Sequence, residues 1–269
     1  MDYQILVLDL DGTLTNSKKE ITPATKDALI DIQKKGVKVV LASGRPTPGV
    51  LPVAKHLHLD EFGGYVLSFN GGRITDCHAN ETMYNCLLTD GFAKPLYEIV
   101  RKYPELDLVT YSDDTILSGI RSNSYTEFES FINHMPIVEL PDFLHQIPEH
   151  PNKFLVTGEP DIVALAKEEI SAHFGSKLNV YCSDPFFLEI MPPGIDKGSS
   201  LLRLLESIGM SADQMICCGD GFNDITMIEV AGLGVAMANA QSVVLDKADF
   251  VTKSNDEDGV LHVINTFLR

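Results

Sequence analysis

Residues 4–13 are Gln4-Ile5-Leu6-Val7-Leu8-Asp9-Leu10-Asp11-Gly12-Thr13, an apolar run that ends in two aspartates and a glycine. A continuous aliphatic run is typical of a strand that is covered on both faces, as in a parallel sheet between two layers of helices. This stretch therefore predicts a buried strand over residues 4–9, and it places both carboxylates where that strand ends.

The chain on either side of this stretch alternates between strand and helix patterns. Thr22-Pro23 predicts a helix start, because threonine is a favoured N-cap and proline suits the first helical position. Further strands are predicted at 37–42, 65–69, 215–219, 234–236 and 250–251, and further helices at 46–57, 197–207, 224–230 and 258–268. This alternation predicts an α/β fold, a Rossmann-like doubly wound parallel sheet.

The pattern changes between residues 83 and 187. Predicted strands at 106–111 and 115–120 flank Asp113-Asp114, which indicates a hairpin, and helices are predicted at 125–134 and 160–174. We therefore expect a discontinuous core, residues 1–82 and 188–269, around an inserted α+β domain of residues 83–187.

The composition narrows the range of partners and compartments. The 269 residues include 38 acidic and 21 basic ones, a formal net charge of −17, which disfavours nucleic acid and anionic membranes as partners. Five cysteines are present, and the adjacent Cys217 and Cys218 fall in a predicted buried strand, which argues against a disulfide framework. Met1-Asp2-Tyr3-Gln4 lacks the basic start of a signal peptide, and no apolar run approaches the ~18 residues of a membrane helix. We expect a cytoplasmic protein.

Four short segments place reactive side chains where a predicted strand ends or a helix begins. They are Asp9-Leu10-Asp11-Gly12-Thr13, Ser43-Gly44-Arg45, Lys197-Gly198 and Gly219-Asp220-Gly221-Phe222-Asn223-Asp224. Ligands of open α/β sheets bind at the carboxyl ends of the strands. We therefore expect these four segments to meet there, although they are distant in sequence.

The residue types point to phosphate chemistry with a divalent cation. Asp9 and Asp11 are two residues apart at a strand end and so point to the same side, and ionised carboxylates do not cluster without a cation or a shared proton. One carboxylate suits a nucleophile and the other a general acid and base. The hydroxyl of Ser43 suits a phosphate, and Lys197 near a helix start is explained by a nearby anion.

Each segment alone also has a purely structural interpretation. The two aspartates could form a capped turn, Ser43 and Asp220 could cap the helices that follow, and Lys197 could be an ordinary surface lysine. It is the combination of the four segments, in order and at strand ends, that is specific.

In that combination the chain resembles the haloacid dehalogenase (HAD) superfamily. The resemblance extends to Phe69-Asn70-Gly71, to residues 234–240 and to residues 256–260. The size of the insert between the second and third segments is similar to that of members with a C2-type cap, close to the Cof-type sugar phosphatases. The resemblance implies a core that performs the chemistry and a cap that selects the substrate.

The resemblance also implies a role for each matching residue. Asp9 would be the nucleophile and a Mg²⁺ ligand. Asp11 would be the general acid and base, with its backbone carbonyl on the metal, and Asp220 would complete the metal site. The remaining candidates would bind phosphate or substrate or support the site; they are Ser43, Lys197, Asn223, Gly44, Arg45, Asn70, Asp224, Gly12 and Thr13.

The function expected from the residues and the resemblance together is a Mg²⁺-dependent phosphatase acting on a small phosphate ester, with a sugar phosphate as the favoured substrate class. Asp11 favours an oxygen leaving group. Two alternatives remain open: a phosphomutase with the same site, which would require a bisphosphate activator, and a non-catalytic sensor of a phosphorylated metabolite. The sequence leaves the oligomeric state open.

Overall fold

The computed structural model describes residues 3–89 and 91–268. Met1 and Asp2, on which the expectation about a signal peptide partly rests, lie outside the described residues, as do Asp90 and Arg269. The chain divides into two compact units, one formed by Met1–Tyr84 and Asp196–Arg269 and the other by Asn85–Ile195. Within the described part of the chain, none of the helices combines the length and apolarity that a bilayer span requires.

Strands and helices alternate through much of the chain. The strands are β1 (Ile5–Leu8), β2 (Lys38–Ala42), β3 (Tyr65–Ser68), β4 (Arg73–Asp76), β5 (Glu81–Asn85), β6 (Asp107–Ser112), β7 (Thr115–Ser118), β8 (Ile137–Glu139), β9 (Phe154–Thr157), β10 (Asn179–Asp184), β11 (Phe187–Met191), β12 (Met215–Gly219), β13 (Leu233–Ala236) and β14 (Phe250–Val251). The α-helices are α1 (Pro23–Lys34), α2 (Thr47–His56), α3 (Leu59–Phe62), α4 (Ala93–Val100), α5 (Ser124–Asn133), α6 (Phe143–Gln146), α7 (Pro160–Phe174), α8 (Lys197–Ile208), α9 (Ile225–Val230), α10 (Ser242–Leu245) and α11 (Gly259–Phe267).

The first unit is built on an eight-stranded sheet in the order β14-β13-β12-β1-β2-β3-β4-β5. The strands from β14 to β3 pair in parallel, and β4 joins β3 in the antiparallel direction. The chain builds outward from β1 to one side and later adds β12, β13 and β14 on the other side. This topology confirms the predicted doubly wound α/β core.

Both faces of this sheet are covered, which explains the continuous apolar runs of its strands. Leu6 and Leu8 of β1 pack in one apolar cluster with residues of α1, α2 and α11, whereas Ile5 and Val7 pack in another with residues of α8 and α9. Successive side chains of a strand point to opposite faces, so a strand covered on both sides must be apolar at every position.

The second unit is an α+β module. Its six-stranded sheet has the order β10-β11-β9-β6-β7-β8 and is antiparallel except where β7 pairs with β8. The hairpin of β6 and β7 turns at Asp113-Asp114, as predicted. Helices α4 and α7 contribute Leu96, Val163 and Ile170 to the apolar cluster that covers one face.

The junctions between the units differ from the predicted ones. They follow Tyr84 and Ile195 rather than residues 82 and 187. The second junction lies later because β11 pairs with β9 and β10 in the six-stranded sheet. Phe187–Met191 therefore belongs to the second unit, although residues 188–195 were predicted to lie in the core.

Candidate active site

The predicted site segments of the first unit converge at one edge of its sheet. Asp9 directly follows β1, Ser43 follows β2, and Asp220 follows β12. These three strands are neighbours and run parallel, so their carboxyl ends lie side by side. Lys197 is the first residue of α8, and its ammonium reaches Asp9.

A cluster of carboxylates forms at this edge. Asp9, Asp220 and Asp224 each contribute one oxygen atom, and these three atoms lie within 4.8 Å of one another. Asp9 is 7 % exposed and Asp224 is 1 % exposed. The separation allows Asp9 and Asp220 to share one cation.

Lys197 neutralises part of this charge. Its Nζ donates to Asp9 Oδ1 and to Asp224 Oδ1, both at 2.6 Å, and the side chain is fully buried. Burial opposes the charged form of the lysine, but the two carboxylates outweigh it and hold the pKa of Lys197 above its usual value. Lys197 is therefore a cation in the site, not a surface lysine.

Two of these carboxylates, Asp9 and Asp220, have raised pKa values. Burial raises the pKa of Asp9 well above its usual value, and repulsion from Asp224 adds to this, while Lys197 opposes it. Burial also raises the pKa of Asp220 to about 6, again reinforced by Asp224. The physical cause is the same for both: negative charges are held together away from water.

The loop after β1 is fitted closely against Asp220. Thr13 Oγ1 donates to Asp220 Oδ1 at 2.8 Å. Gly12 has a φ of +89°, and a Cβ at this position would lie 2.4 Å from Asp220 Oδ2. Both the conformation and the close approach require glycine here.

Asp224 orders the loop after β12. Its Oδ2 accepts hydrogen bonds from the backbone N–H groups of Asp220 and Gly221, each at 2.9 Å. Its other oxygen is bound to Lys197. Asp224 therefore supports the positions of Asp220 and Lys197. The same side chain caps the turn after β12 and belongs to the carboxylate cluster.

Asp11 lies in different surroundings from Asp9. Arg45 donates from Nε to Oδ2 and from a terminal nitrogen to Oδ1 of Asp11, both at 2.7 Å, and Lys19 Nζ lies 2.8 Å from Oδ1. Burial raises the pKa of the Asp11 carboxyl, but the bonds and charges of Arg45 and Lys19 outweigh it, so the net shift is downward. Arg45, predicted to contact substrate, is engaged with Asp11 in this structure.

The ends of β2 and β3 bring together the remaining polar candidates. Ser43 Oγ accepts from the N–H of Arg45 at 3.2 Å, and the Ser43 carbonyl accepts from the N–H of Asn70 at 2.9 Å. Asn223 Nδ2 donates to Asn70 Oδ1 at 2.9 Å. A Cβ at Gly44 would lie 3.1 Å from Asn70 Nδ2, so this turn is packed around the buried Asn70 amide.

Sequence reasoning did not single out Lys19 or Asn239, although both contact the site segments. Lys19 pairs with Asp11, and Asn239 Nδ2 donates to the Gly12 carbonyl at 2.8 Å. Lys19 lies in a polar loop with no periodicity, so nothing in a single sequence marks it. Asn239 lies in the stretch 234–240 that carries part of the family resemblance, and that was the one available signal.

Comparison with known proteins identifies the family. The family model described as haloacid dehalogenase-like hydrolase matches residues 6–264. The Bacillus subtilis protein named "Putative phosphatase YxeH" is 34 % identical, covering 98 % of this chain and 97 % of that protein. The B. subtilis protein named 5-amino-6-(5-phospho-D-ribitylamino)uracil phosphatase YcsE is 30 % identical, covering 98 % of this chain and 95 % of that protein.

A solved structure extends the match to three dimensions. A haloacid dehalogenase-like hydrolase from Bacteroides thetaiotaomicron superposes with a TM-score of 0.94 at 45 % identity, covering 98 % of this chain and 99 % of that one. The predicted resemblance and the predicted enzyme class are thereby confirmed. The chain belongs to the haloacid dehalogenase-like hydrolase family and is a phosphoric monoester hydrolase.

Proposed function

We propose that this hydrolase is a Mg²⁺-dependent phosphatase that cleaves a small phosphorylated metabolite through a phospho-aspartyl intermediate on Asp9. The observation that carries the proposal is the charge balance of the carboxylate cluster, in which Asp9 and Asp224 are buried and Asp220 is partly buried. Among the residues that the structure describes, Lys197 supplies the one buried ammonium that contacts this cluster of Asp9, Asp220 and Asp224. Two negative charges are left uncompensated in their ionised forms, and one divalent cation matches them.

The donor set fits magnesium. Carboxylate and carbonyl oxygens are the hard ligands that Mg²⁺ prefers, and Asp9, Asp220 and the backbone carbonyl of Asp11 are the proposed ligands. Once bound, the ion supplies positive charge that stabilises the phosphoryl group during transfer. Asp224 holds Asp220 through its backbone N–H and so supports the site without being needed as a ligand.

Asp9 is the proposed nucleophile. Lys197 binds its Oδ1, so Oδ2 is the oxygen that attacks phosphorus. A bond forms between Oδ2 and phosphorus while the bond from phosphorus to the leaving oxygen breaks, and Asp11 delivers a proton to that oxygen. Asp11 then takes a proton from water, which attacks phosphorus, releases phosphate and restores Asp9.

The other polar residues position the phosphoryl group. Ser43 and Lys197 are proposed to donate hydrogen bonds to the phosphoryl group. Asn223 and Asn70 are proposed to lie beside that group. Their arrangement supports this assignment because phosphoryl transfer depends mainly on positioning and charge neutralisation. Residues 85–195 are the proposed cap that selects the leaving group, and the remainder is the proposed catalytic core.

Phosphorylated sugars and polyols are the proposed substrate class. The name of the B. subtilis relative YcsE specifies a phosphorylated ribityl chain, and its similarity covers nearly the whole of both chains. A small polyhydroxylated phosphate ester is therefore a reasonable starting point for a substrate search.

The test is phosphate release from a panel of hexose, pentose and polyol phosphates, with Mg²⁺ and with a chelator. We expect release that requires Mg²⁺ and falls by about 10³-fold or more in Asp9→Asn, because loss of a covalent nucleophile removes the main path. Asp27→Asn, at an exposed position on α1, is the matched control and should behave as wild type.

Several outcomes would contradict the proposal. Full turnover by Asp9→Asn would show that Asp9 is not the nucleophile. Full turnover with chelator would show that the reaction does not require Mg²⁺. A strict requirement for a sugar bisphosphate activator, with transfer to a sugar rather than to water, would identify a mutase instead. Binding of a phosphate ester without any release would identify a sensor.

A further inference from the structure

A loop near the C-terminus is tied to the loop that follows Asp9, through side chains that the proposed chemistry does not use. We call Asn239 and Asn255 the asparagine clamp. Asn239 Oδ1 accepts from the backbone N–H of Asn255 at 2.9 Å, so the two residues are joined to each other. Both also donate to the main chain of the loop after β1, which is more than 220 residues away in sequence.

The clamp holds two carbonyl groups on either side of Thr13. Asn239 Nδ2 donates to the Gly12 carbonyl at 2.8 Å, and Asn255 Nδ2 donates to the Thr15 carbonyl at 2.9 Å. Thr13 lies between these two points, and its hydroxyl donates to Asp220. The clamp therefore bonds to the main chain on both sides of the residue through which the β1 loop contacts Asp220.

The residues that follow Asn255 also bind the N-terminal part of the chain. Asp256 accepts from the N–H and the hydroxyl of Ser17, at 2.8 and 2.6 Å. Asp258 accepts from the hydroxyls of Thr22 and Thr25 at the start of α1. These contacts join the residues directly after Asn255 to the chain between the β1 loop and α1.

The position of Gly12 matters because there is no spare room beside it. A Cβ there would lie 2.4 Å from Asp220 Oδ2, so the Gly12 backbone is packed against the carboxylate. A shift of the Gly12 backbone would change the distances from Asp220 to Asp9 and Asp11. Metal affinity depends on that spacing, because Mg²⁺ demands near-ideal geometry.

We propose that Asn239 and Asn255 are positioning residues that set the spacing of Asp9 and Asp220 and thereby the affinity of the site for Mg²⁺. The proposal rests on the proposed function, because it assumes that these aspartates hold the ion. Neither asparagine touches the reacting atoms in this role. They act through the Gly12 and Thr15 carbonyls.

The test measures Mg²⁺ binding directly, by calorimetry on the full chain without substrate, in wild type, Asn239→Ala, Asn255→Ala and the double variant. We expect each single change to weaken Mg²⁺ binding by about three- to tenfold, because a β1 loop released from the clamp must be ordered again when the ion binds, at a cost similar to the free energy of one hydrogen bond. The double variant should lose less than the product of the single losses, because the two residues act as one unit. In turnover, the Mg²⁺ concentration for half-maximal rate should rise while kcat at saturating Mg²⁺ stays within about twofold of wild type.

Ser254→Ala is the matched control. Its hydroxyl donates to Glu257 within the same segment and not to the β1 loop, so its Mg²⁺ affinity should equal that of wild type. Wild-type affinity in both single asparagine variants would overturn the proposal, as would an equal loss in Ser254→Ala. If one asparagine variant were less thermally stable than wild type without metal, the Mg²⁺ affinity of the other variant would be compared with wild type instead. Wild-type affinity in that variant would overturn the proposal.

The two proposals fail in different ways. If wild type neither bound Mg²⁺ nor released phosphate, the proposed function would be wrong. If wild type did both and the asparagine variants bound Mg²⁺ equally well, only the role of the clamp would be wrong.

Discussion

Asp11 is held by two cations, Arg45 and Lys19, and this arrangement opposes the role proposed for it. A general acid must carry a proton, whereas these cations stabilise the carboxylate and lower the pKa of Asp11. The guanidinium binds both carboxylate oxygens, which is the strongest geometry for such a pair. The proposed proton transfer therefore requires a weaker Arg45 interaction in the substrate complex than in the free protein.

Removal of Arg45 should shift the pH dependence of catalysis. Loss of the guanidinium raises the pKa of Asp11, so the protonated acid persists to higher pH. In Arg45→Ala the alkaline limb of the kcat/KM profile should therefore move to higher pH, because this profile reports groups of the free enzyme. Arg101→Ala, at an exposed residue of the second unit, is the control. If the alkaline limb did not move in Arg45→Ala, Asp11 would not be the group that protonates the leaving oxygen.

Asp220 should make the effect of Mg²⁺ on stability depend on pH. Its pKa is raised from 3.8 to about 6 in the folded protein, so the folded state binds the proton more tightly than the unfolded state. Its contribution to metal-free stability therefore falls as pH rises from about 4 to about 6 and is lowest above that window.

At the proposed site, Mg²⁺ would require the ionised Asp220 carboxylate and would offset the repulsion between Asp220 and Asp224. The Mg²⁺-induced rise in Tm should therefore be larger at about pH 7.5 than at about pH 5, where protons compete with the metal. Thermal unfolding with and without Mg²⁺ at both pH values measures the effect, and Asp220→Asn should show little rise at either. Equal rises at the two pH values in wild type would count against Asp220 as a ligand.

At the scale of elements, the second unit contains a buried ion pair beside β9 and β11. Lys153 Nζ donates to Glu189 Oε2 at 2.9 Å, and both side chains are at least 95 % buried. Tyr111 donates to Glu129 at 2.7 Å on the same side of the unit, and Lys153 lies over the Tyr111 ring. This polar network occupies the sheet face opposite the one that α4 and α7 cover.

Breaking this pair should destabilise the protein strongly. Lys153→Met leaves Glu189 buried without its cation and should lower the free energy of unfolding by about 3–5 kcal/mol, measured by urea denaturation. The double variant Lys153→Met/Glu189→Leu should recover most of this loss, because neither charge of the pair is then left buried without its partner. Lys94→Met, at an exposed site on α4, is the control. A small loss in Lys153→Met, similar to the control, would contradict the importance of the pair.

At the scale of the whole molecule, the net charge of −17 acts against an anionic substrate. The field of the protein repels a phosphate ester before it reaches the local cations of the site. Added salt screens this repulsion, since the Debye length falls to ~8 Å at physiological ionic strength.

The kcat/KM for a phosphate ester should therefore rise by about twofold or more when KCl is raised from low to physiological concentration at fixed Mg²⁺. An ester with fewer negative charges should respond less. A fall in kcat/KM with salt for the phosphate ester would show that local attraction, rather than the overall charge, controls encounter.

The elements that could be predicted were those with a strong local signal. α1 begins at Pro23 with Thr22 as N-cap, and α7 spans Pro160–Phe174 as expected. In contrast, β5 and β8 were missed because their side chains are mostly exposed and show no apolar alternation. Strands of this kind form through pairing with neighbours, and a single sequence does not show the neighbour.

The sequence by itself determined which side chains stand at the ends of the core strands. Parallel strands covered on both faces are recognisable from local composition, and their carboxyl ends share one edge, so the convergence of Asp9, Ser43 and Asp220 could be predicted. Only the tertiary structure decided which groups touch there. The binding of Asp11 by Arg45 and Lys19 and of Gly12 by Asn239 depends on side-chain directions and loop paths. These are set by packing between segments far apart in the chain, where spacing along the sequence carries no information about distance.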